Sequence, residues 1–220
     1  MGDCIIVCAG DFPREKIVTC SDDFVIAADN GLTCLMCMGI RPDLVIGDYD
    51  SLSEEGRMCL EELRRVAPDS VVTLPVEKDD TDTMAAVKAG FARGYQNFRL
   101  VAALGGRLDH TIANIQTLAY IKMHGGSACI EGDDCLIRVI RNETVHLEAG
   151  PARTFSLFAM EAVIRGVTLR GMQYELEDAE ITNDFPIGVS NHIAEHAEAS
   201  VTVADGMALL ILSRPEQEKD

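Results

Sequence analysis

The sequence predicts an α/β protein in two parts, and two observations lead to this prediction. Short apolar runs alternate with amphipathic stretches up to about residue 130, and beyond it only short β-rich runs between turn residues remain. Strands that alternate with helices pair in parallel, whereas consecutive short strands favour an antiparallel sandwich. We therefore expect a Rossmann-like parallel-sheet α/β domain at residues 1–131, a C-terminal all-β sandwich domain at 132–213 and a polar tail at 214–220.

The elements of the first domain follow from apolar runs and helix-end signals. Strands are predicted at residues 4–9, 24–28, 44–46, 71–74, 98–104 and 128–131. Helices are predicted at residues 53–66, 82–93 and 109–124. The first helix begins with two glutamates and ends with two arginines, the polarity that the helix dipole favours. Gly94 and Gly125 directly follow the other two helices, as helix-ending glycines do.

The second domain contains only strand signals. Strands are predicted at residues 136–140, 144–148, 153–159, 163–169, 173–176, 200–204 and 207–212. Turn residues separate them, and no helical periodicity interrupts them. This pattern is typical of an antiparallel sandwich or small barrel.

Charge and cysteine usage restrict the function classes. The net charge of −17 disfavours binding to nucleic acid or to an anionic membrane, and no apolar run approaches the ~20 residues of a membrane helix. Most of the eight cysteines lie among apolar neighbours, which indicates reduced core thiols, and the single CxxC, Cys34 to Cys37, is interpreted as a helix face. The N-terminus lacks a basic leader and a myristoylation pattern, so we expect a cytoplasmic protein.

The first acidic motif follows the predicted strand at 44–46. Residues two apart in an extended chain point the same way, so Asp48 and Asp50 present two carboxylates at the carboxyl end of a parallel strand, where open sheets bind ligands. Paired carboxylates repel each other and favour a divalent cation between them. The alternative is a polar turn with a helix cap at Ser51 or Ser53.

Three further loops lie at the same predicted edge. Lys78 to Asp82 supplies a third acidic ligand and a lysine for a phosphate, with capping by Thr81 or Asp82 as the alternative explanation. Gly105, Gly106 and Arg107 form a turn before a helix start, which suits phosphate binding, and Asp109 is an N-cap or a partner of metal, arginine or substrate. The fourth loop, Ala28 to Gly31, is equally well explained as a simple turn.

These loops together predict a magnesium-dependent nucleotide site. The chain has neither GxxxxGK[ST] nor GxGxxG, which excludes the P-loop and dinucleotide-binding classes. The chemistry implied is phosphoryl or pyrophosphoryl transfer, in which positioning and electrostatics carry most of the catalysis.

The ordered motifs resemble those of the thiamine pyrophosphokinase family. The matching stretches are ADNG at 28–31, PDLVIGDYDS at 42–51, KDDTD at 78–82, GGRLDH at 105–110 with Asn114, and FSLF at 155–158, GVTL at 166–169 and GVSN at 188–191. They cover nearly the whole chain. The resemblance implies Mg²⁺-dependent transfer of the pyrophosphoryl group of ATP to the hydroxyl of thiamine, giving thiamine diphosphate and AMP.

The resemblance also implies the roles of individual residues. The metal ligands or their near neighbours are Asp29, Asp48, Asp50 and Asp82. The catalytic residues are Asp48, Asp50, Asp82 and Arg107. The residues that bind ATP are Asp29, Lys78, Thr81, Gly105, Gly106, Arg107 and Asp109. The residues that bind thiamine are Asp109, Ser190 and Asn191. A homodimer whose active sites join the α/β domain of one chain to the β domain of the other is expected on the same ground.

Two residues depart from the family pattern, and two other functions are alternatives to the one that the resemblance implies. Asp11 stands where relatives continue a glycine-rich turn, which concerns the adenine or ribose side of the pocket, and Tyr49 stands where Phe is usual, which we expect to change little. The alternatives are a pyrophosphokinase acting on another hydroxymethyl heterocycle such as a pterin, and a non-catalytic thiamine or nucleotide sensor. All the acidic motif positions are filled, which disfavours the sensor.

Overall fold

A computed structural model of the chain describes residues 2–214, which form two compact units. Within the described residues the units are 2–133 and 134–214, and the sequence-predicted boundary falls between residues 131 and 132. Apart from Arg214, the predicted polar tail lies outside the described residues. Across residues 2–214, no helix combines the length and the apolar character needed to cross a membrane.

The first unit contains a six-stranded sheet in which all neighbours run parallel. Its strands are β1 (Cys4–Val7), β2 (Phe24–Ala28), β3 (Leu44–Gly47), β4 (Val71–Thr73), β5 (Asn97–Val101) and β6 (Ser127–Glu131). They lie in the order β6-β5-β1-β2-β3-β4. The chain moves outward from β1 to β4 and then returns to the other side of β1, so the strand order reverses between β1 and β5. Ligands of open α/β sheets bind at such a reversal.

Four α-helices and a short 3-10 helix (Pro68–Ser70) connect these strands in the described part of the unit. The α-helices are α1 (Gly31–Met38), α2 (Glu54–Val66), α3 (Asp82–Ala92) and α4 (Leu108–Met123). The Ser53 hydroxyl caps α2 by accepting a hydrogen bond from Gly56 N at 3.0 Å. No bounds were predicted for α1 beyond the helix face at Cys34 and Cys37, because this helix is short and weakly amphipathic. Cys34 is fully buried in α1, and burial raises the pKa of its thiol to about 11, which agrees with a packing role.

The core of the first unit explains why its strands read as continuous apolar runs. Every residue of β1 and β3 is buried, and so are four of the five residues of β2. Parallel strands with helices on both faces have no solvent-facing side, so they show no alternation of apolar and polar residues. The sheet is therefore a rigid base for the loops at its edge.

The second unit is β-rich, and its strands pair antiparallel. Its strands are β7 (Cys135–Leu147), β8 (Arg153–Ala159), β9 (Val163–Arg170), β10 (Leu176–Thr182), β11 (Asn191–Ile193) and β12 (Ala199–Ser213). The first half of β12 pairs with β9 and its second half pairs with β8, while β7 follows it along its length. The core of this unit includes Phe155, Leu157, Val201 and Leu210, all fully buried.

Several predicted strands of this unit were wrong in their bounds. The predicted strands at 136–140 and 144–148 are one strand, β7, and those at 200–204 and 207–212 are one strand, β12. A register shift between Val203 and Met207 contains Gly206, whose φ of 108° only glycine adopts easily, and this bulge produced the apparent break. The predicted strand at 173–176 shares only Leu176 with β10, and β11 was not predicted. Most of β10 is exposed and polar, so it lacks the apolar alternation that signals a strand.

Candidate active site

A cavity of about 450 Å³ opens at the carboxyl edge of the parallel sheet, beside the reversal between β1 and β5. Loops after β1, β2, β3, β4 and β5, the first turn of α3 and the first two turns of α4 line it. The sequence-predicted residues in its lining are Asp29, Lys78, Thr81, Asp82, Gly105, Gly106 and Arg107. Asp48, Asp50 and Asp109 lie in the same unit outside this lining, and Ser190 and Asn191 belong to the second unit.

Three of the four predicted metal ligands converge. One carboxylate oxygen from each of Asp29, Asp48 and Asp50 lies within 4.8 Å of the other two. The convergence does not come from an extended chain, as the sequence argument assumed, because Tyr49 has a φ of 66° and Asp29 a φ of 50°. Both backbones therefore turn sharply after their strands, and the turns bring the carboxylates together.

The buried Tyr49 ring anchors the turn that carries Asp48 and Asp50. Its hydroxyl lies 2.7 Å from Val72 O and 3.1 Å from Val45 O, so it donates to strand carbonyls below the site rather than to a ligand. Burial raises the pKa of Tyr49, so the hydroxyl keeps its proton at neutral pH. The hydroxyl that distinguishes this chain from the usual phenylalanine is thus a structural group.

We expect Tyr49→Phe to leave kcat unchanged and to lower the free energy of unfolding by about 0.5–1.5 kcal/mol, the net contribution of a typical hydrogen bond. Urea unfolding of both proteins measures the difference. Tyr174→Phe, at a tyrosine that is 63% exposed, serves as the matched control and should leave the free energy of unfolding unchanged. A large loss of kcat in Tyr49→Phe would instead place the hydroxyl in the chemistry.

The Asp29 carboxylate has one oxygen in use and one without a protein partner. Ser51 Oγ lies 3.0 Å from Asp29 Oδ2, while Asp29 Oδ1 is buried and accepts no hydrogen bond from the described residues. Burial raises the pKa of Asp29, and the Ser51 hydrogen bond offsets part of this rise. A buried carboxylate oxygen without a donor, close to two further carboxylates, fits a divalent cation that prefers oxygen ligands.

The fourth predicted ligand, Asp82, instead contacts a lysine. Lys78 Nζ lies 3.1 Å from Asp82 Oδ1 and 2.8 Å from Asp48 Oδ2, so the ammonium bridges the two carboxylates. The hydrogen bond from Lys78 lowers the pKa of Asp48, whereas burial raises the pKa of Asp82. Burial lowers the pKa of Lys78, but the hydrogen bond to Asp48 and the ion pair with Asp82 outweigh it and raise this pKa overall. Lys78 is therefore a charged ammonium.

Thr81 is the N-cap residue that directly precedes helix α3. Its hydroxyl accepts a hydrogen bond from Met84 N at 3.1 Å, so Thr81 supplies the cap. Of the two residues that the sequence offered as the cap, Thr81 has this role and Asp82 does not. The carboxylate of Asp82 remains available to the site because it starts the first helical turn instead of preceding it.

The Gly105–Gly106 turn lies between β5 and α4. Both glycines have positive φ, 81° and 60°, which favours glycine at these positions. The carboxylate of Asp11 packs directly against Gly105, where a side chain would clash with it, and Asp11 N donates to Leu104 O at 2.8 Å. The residue that departs from the family pattern is therefore a neighbour of the glycine turn.

Arg107 and Asp109 pair with each other at the start of α4. Two guanidinium nitrogens of Arg107 contact the two oxygens of Asp109, at 3.1 and 2.5 Å. The N-cap position of α4 is Arg107, and Asp109 lies within the first turn, where its Oδ1 also accepts a hydrogen bond from His110 N at 3.1 Å, so of its predicted roles the structure shows the partner of Arg107. Both side chains are largely exposed, and the Arg107 hydrogen bond lowers the pKa of Asp109.

Ser51 and Asn114 are two lining residues that the site assignment did not include. The Ser51 hydroxyl lies within hydrogen-bonding distance of both Asp29 and Asp50, so it can support either carboxylate. Its signal in the sequence was its place directly after Asp50, which was interpreted as a helix cap. Asn114 is buried and donates from Nδ2 to Ala103 O at 2.8 Å, which fixes α4 against the chain after β5. The signal for Asn114 in the sequence was its place after the GGRLDH motif at 105–110 in the family resemblance.

The predicted thiamine pair, Ser190 and Asn191, lies in the second unit, and its two members differ. Ser190 is exposed, with a φ of 60°. Asn191 is buried, and its amide holds Tyr174 by both backbone groups: Oδ1 accepts from Tyr174 N at 3.0 Å and Nδ2 donates to Tyr174 O at 2.7 Å. Oδ1 also accepts from His192 N at 2.9 Å. Asn191 therefore positions a loop, while Ser190 presents an exposed hydroxyl.

Because Asn191 satisfies three backbone groups, we expect Asn191→Ala to lower the free energy of unfolding by at least about 1–3 kcal/mol, the cost of leaving such groups without partners. Denaturant unfolding measures this loss. Asn183→Ala removes an exposed asparagine from the same unit and should cost less. Equal stability of Asn191→Ala and the parent chain would show that the amide does not hold the Tyr174 loop.

The fold and the site together define a class of enzyme. An open parallel sheet with clustered carboxylates and a Gly-Gly-Arg turn at its reversal is suited to phosphoryl-group transfer without a P-loop. Family models agree: "Thiamin pyrophosphokinase, catalytic domain" matches residues 16–130, and "Thiamin pyrophosphokinase, vitamin B1 binding domain" matches residues 140–208. The chain belongs to the thiamine pyrophosphokinase family of enzymes, as its motifs predicted.

Individual relatives support this membership. The chain is 28% identical over 199 residues to the thiamine pyrophosphokinase of Bacillus subtilis, and the match covers 86% of each protein. The crystal structure of the thiamin pyrophosphokinase from Geobacillus thermodenitrificans has a TM-score of 0.78 at 25% identity, covering 97% of this chain and 99% of that one. The yeast structure has a TM-score of 0.73 at 14% identity, covering 96% and 86%, and shows the shared fold alone.

Proposed function

We propose that this protein transfers the pyrophosphoryl group of ATP to the hydroxyl of thiamine, giving thiamine diphosphate and AMP. The observation that carries the proposal is the convergence of Asp29, Asp48 and Asp50 in the unit that matches the family's catalytic domain. The second unit matches the vitamin B1 binding domain and supports thiamine as the acceptor. These matches do not favour a pterin acceptor or a non-catalytic sensor.

We assign Mg²⁺ to the three converging carboxylates, with Asp82 held nearby on Lys78. Asp29 Oδ1 is buried and has no hydrogen-bond partner among residues 2–214, which supports this assignment. When bound, Mg²⁺ neutralises and orients phosphate oxygens of ATP. Asp48 and Asp50 supply most of the remaining negative charge that holds it, and Ser51 keeps the carboxylates in place by hydrogen bonding.

The nucleotide is assigned to the cavity beside Gly105 and Gly106. The glycine turn lets phosphates approach the backbone, and the start of α4 offers free N–H groups to them. Arg107 exchanges Asp109 for phosphate oxygens, because its guanidinium is exposed and suited to forked contacts. Thr81, with its cap on α3, and Lys78 complete the phosphate side of this cavity.

The proposed reaction forms one bond and breaks one bond. The hydroxyl oxygen of thiamine bonds to the β-phosphorus of ATP, and the bond from that phosphorus to the oxygen it shares with the α-phosphorus breaks. AMP leaves with the shared oxygen, and the thiamine hydroxyl loses its proton. Arg107 and the start of α4 stabilise charge on the transferred group, which is where such contacts lower a barrier.

The second unit is proposed to seat thiamine through Ser190, with Asn191 acting indirectly by positioning the Tyr174 loop. We also retain the prediction that this unit is a β sandwich, supported by the two halves of β12 pairing with different strands. Asp109 is proposed to face thiamine once Arg107 has turned to the phosphates. The net charge of −17 attracts the thiamine cation over long range.

The assembly and the location are proposed on separate grounds. A homodimer with active sites shared between subunits is proposed from the family resemblance. The exposed apolar side chains of Phe185, Ile187 and Val189 beside Ser190 support a surface that a second copy covers.

The cytoplasm is proposed as the location because all eight cysteines are free thiols, of which Cys4, Cys8 and Cys34 are buried.

Chromatography of reactions with ATP and Mg²⁺ tests the proposed function. Thiamine as acceptor should give thiamine diphosphate and AMP in equal amounts, and a hydroxymethyl pterin should give no product. If the pterin is consumed and thiamine is not, the acceptor is the pterin and the assignment of thiamine is wrong. Binding of thiamine with no turnover of either acceptor would favour the sensor.

A further inference from the structure

Lys78 occupies an unusual place for a residue expected to bind phosphate. Its ammonium lies between two carboxylates, 2.8 Å from Asp48 Oδ2 and 3.1 Å from Asp82 Oδ1. Only 14% of the Lys78 side chain is exposed, and the two aspartates are 13% and 21% exposed. The ammonium therefore neutralises a largely buried pair of like charges that is otherwise unfavourable.

Asp48 lies next to both a lysine and the other two carboxylates of the cluster. One of its neighbours is Lys78, and the others are Asp29 and Asp50, which complete the three-carboxylate cluster. A divalent cation on this cluster brings two positive charges close to the ammonium, because both contact Asp48. Neighbouring positive charges repel each other strongly where water is scarce. The cation and Lys78 therefore compete for Asp48.

An alternative partner for the ammonium lies in the same cavity. Lys78 lines it together with Gly105, Gly106 and Arg107, the residues assigned to the phosphates. The four-carbon stem of lysine is flexible, and its ammonium binds phosphate as a point charge. An ammonium displaced from Asp48 and Asp82 can move to the polyphosphate without leaving the cavity.

We propose that Lys78 is an exchangeable internal cation that occupies the acidic pair in the metal-free protein and transfers to the phosphates when a divalent cation takes the carboxylates. The inference rests on the proposed function, since it concerns the same site. This exchange makes binding of the metal and binding of the nucleotide mutually favourable. The metal releases the Lys78 ammonium from the carboxylates, and the phosphates of the nucleotide give that ammonium a new partner. The metal alone must displace Lys78, whereas the nucleotide offers it a new partner.

The first test compares Lys78→Gln with the parent chain by calorimetric titration. Mn²⁺ alone should bind Lys78→Gln at least about fivefold more tightly, and ATP with Mg²⁺ should bind it at least about fivefold more weakly, as for a typical coupling between sites. Lys88→Gln is the matched control, because it removes the same charge from an exposed lysine that pairs with Asp80. Weaker or unchanged Mn²⁺ binding in Lys78→Gln would overturn the proposal.

The second test needs no variant and uses the parent protein. An amine-specific acylating reagent with mass spectrometry measures how fast each lysine is modified. Mn²⁺ alone should speed the modification of Lys78, and subsequent addition of ATP should slow it again, while Lys88 serves as the internal control and stays constant. If the rate at which Lys78 is modified does not change when Mn²⁺ is added, the proposed exchange is wrong. If the exchange fails while thiamine diphosphate still forms, the proposed function stands, and if no thiamine diphosphate forms, the function itself fails.

Discussion

Asp50→Asn should lose at least about 100-fold in kcat while the chain still folds. Removing a key electrostatic contact of a phosphoryl-transfer site typically costs this much. Asparagine keeps the size of the side chain and an oxygen that accepts the hydrogen bond from Ser51, which now lies at 2.8 Å. The substitution therefore removes charge from the three-carboxylate cluster with little structural change.

The melting temperature of the metal-free protein separates this role from a structural one. Asp50 is exposed and one of three neighbouring carboxylates, so losing its charge should leave the melting temperature unchanged or higher. Asp69→Asn, an exposed aspartate of the same unit, is the matched control and should keep full kcat. Near-normal turnover of Asp50→Asn at millimolar Mg²⁺ would exclude it as a metal ligand.

The second large effect concerns the proposed dimer. Asp50→Ala chains and Ser190→Arg chains should each be inactive alone, the first through its α/β unit and the second because a bulky cation blocks the proposed seat of cationic thiamine. Ser190 has a φ of 60°, so arginine introduces no backbone strain beyond that of the serine it replaces. Mixing the two after dissociation should restore activity.

Two-fold symmetry fixes the size of the recovery. Random pairing makes about half of the dimers mixed, and each mixed dimer has one intact site of two, so roughly a quarter of the parental activity should return. Sites built within one chain predict no recovery above the two separate variants. Native mass spectrometry establishes that mixed dimers are present, and their presence without activity would exclude shared sites.

The parts of the fold that the sequence predicts well are those with a strong local signal. All six parallel strands of the first unit were predicted within a few residues from their short apolar runs, which in β1, β2 and β3 are almost entirely buried. Helix α2 was predicted from its charged ends and its Ser53 cap. In the second unit, β10 was missed because its residues are exposed and polar, and β12 was divided because a bulge at Gly206 interrupts its pattern.

The site shows the same limit at the level of side chains. The rule that the carboxyl ends of parallel strands meet at one edge predicted that Asp29, Asp48 and Asp50 lie near one another, and the turns at Asp29 and Tyr49 bring their carboxylates together. The contact of Lys78 with Asp48 and the contacts of Asn191 with Tyr174 were not predictable, because each joins segments that are well separated in sequence. A lysine beside acidic residues suggests a phosphate ligand, and only the structure shows it between Asp48 and Asp82.

Pyrophosphoryl transfer is tested most directly by a single turnover with ATP labelled at the β-phosphorus, quenched at short times in the presence of Mg²⁺ and thiamine. The label should pass directly to thiamine diphosphate, and unlabelled AMP should appear at the same rate. Pyrophosphoryl transfer moves both phosphates together, so neither ADP nor thiamine monophosphate should accumulate. Labelled ADP formed together with unlabelled thiamine monophosphate would contradict it.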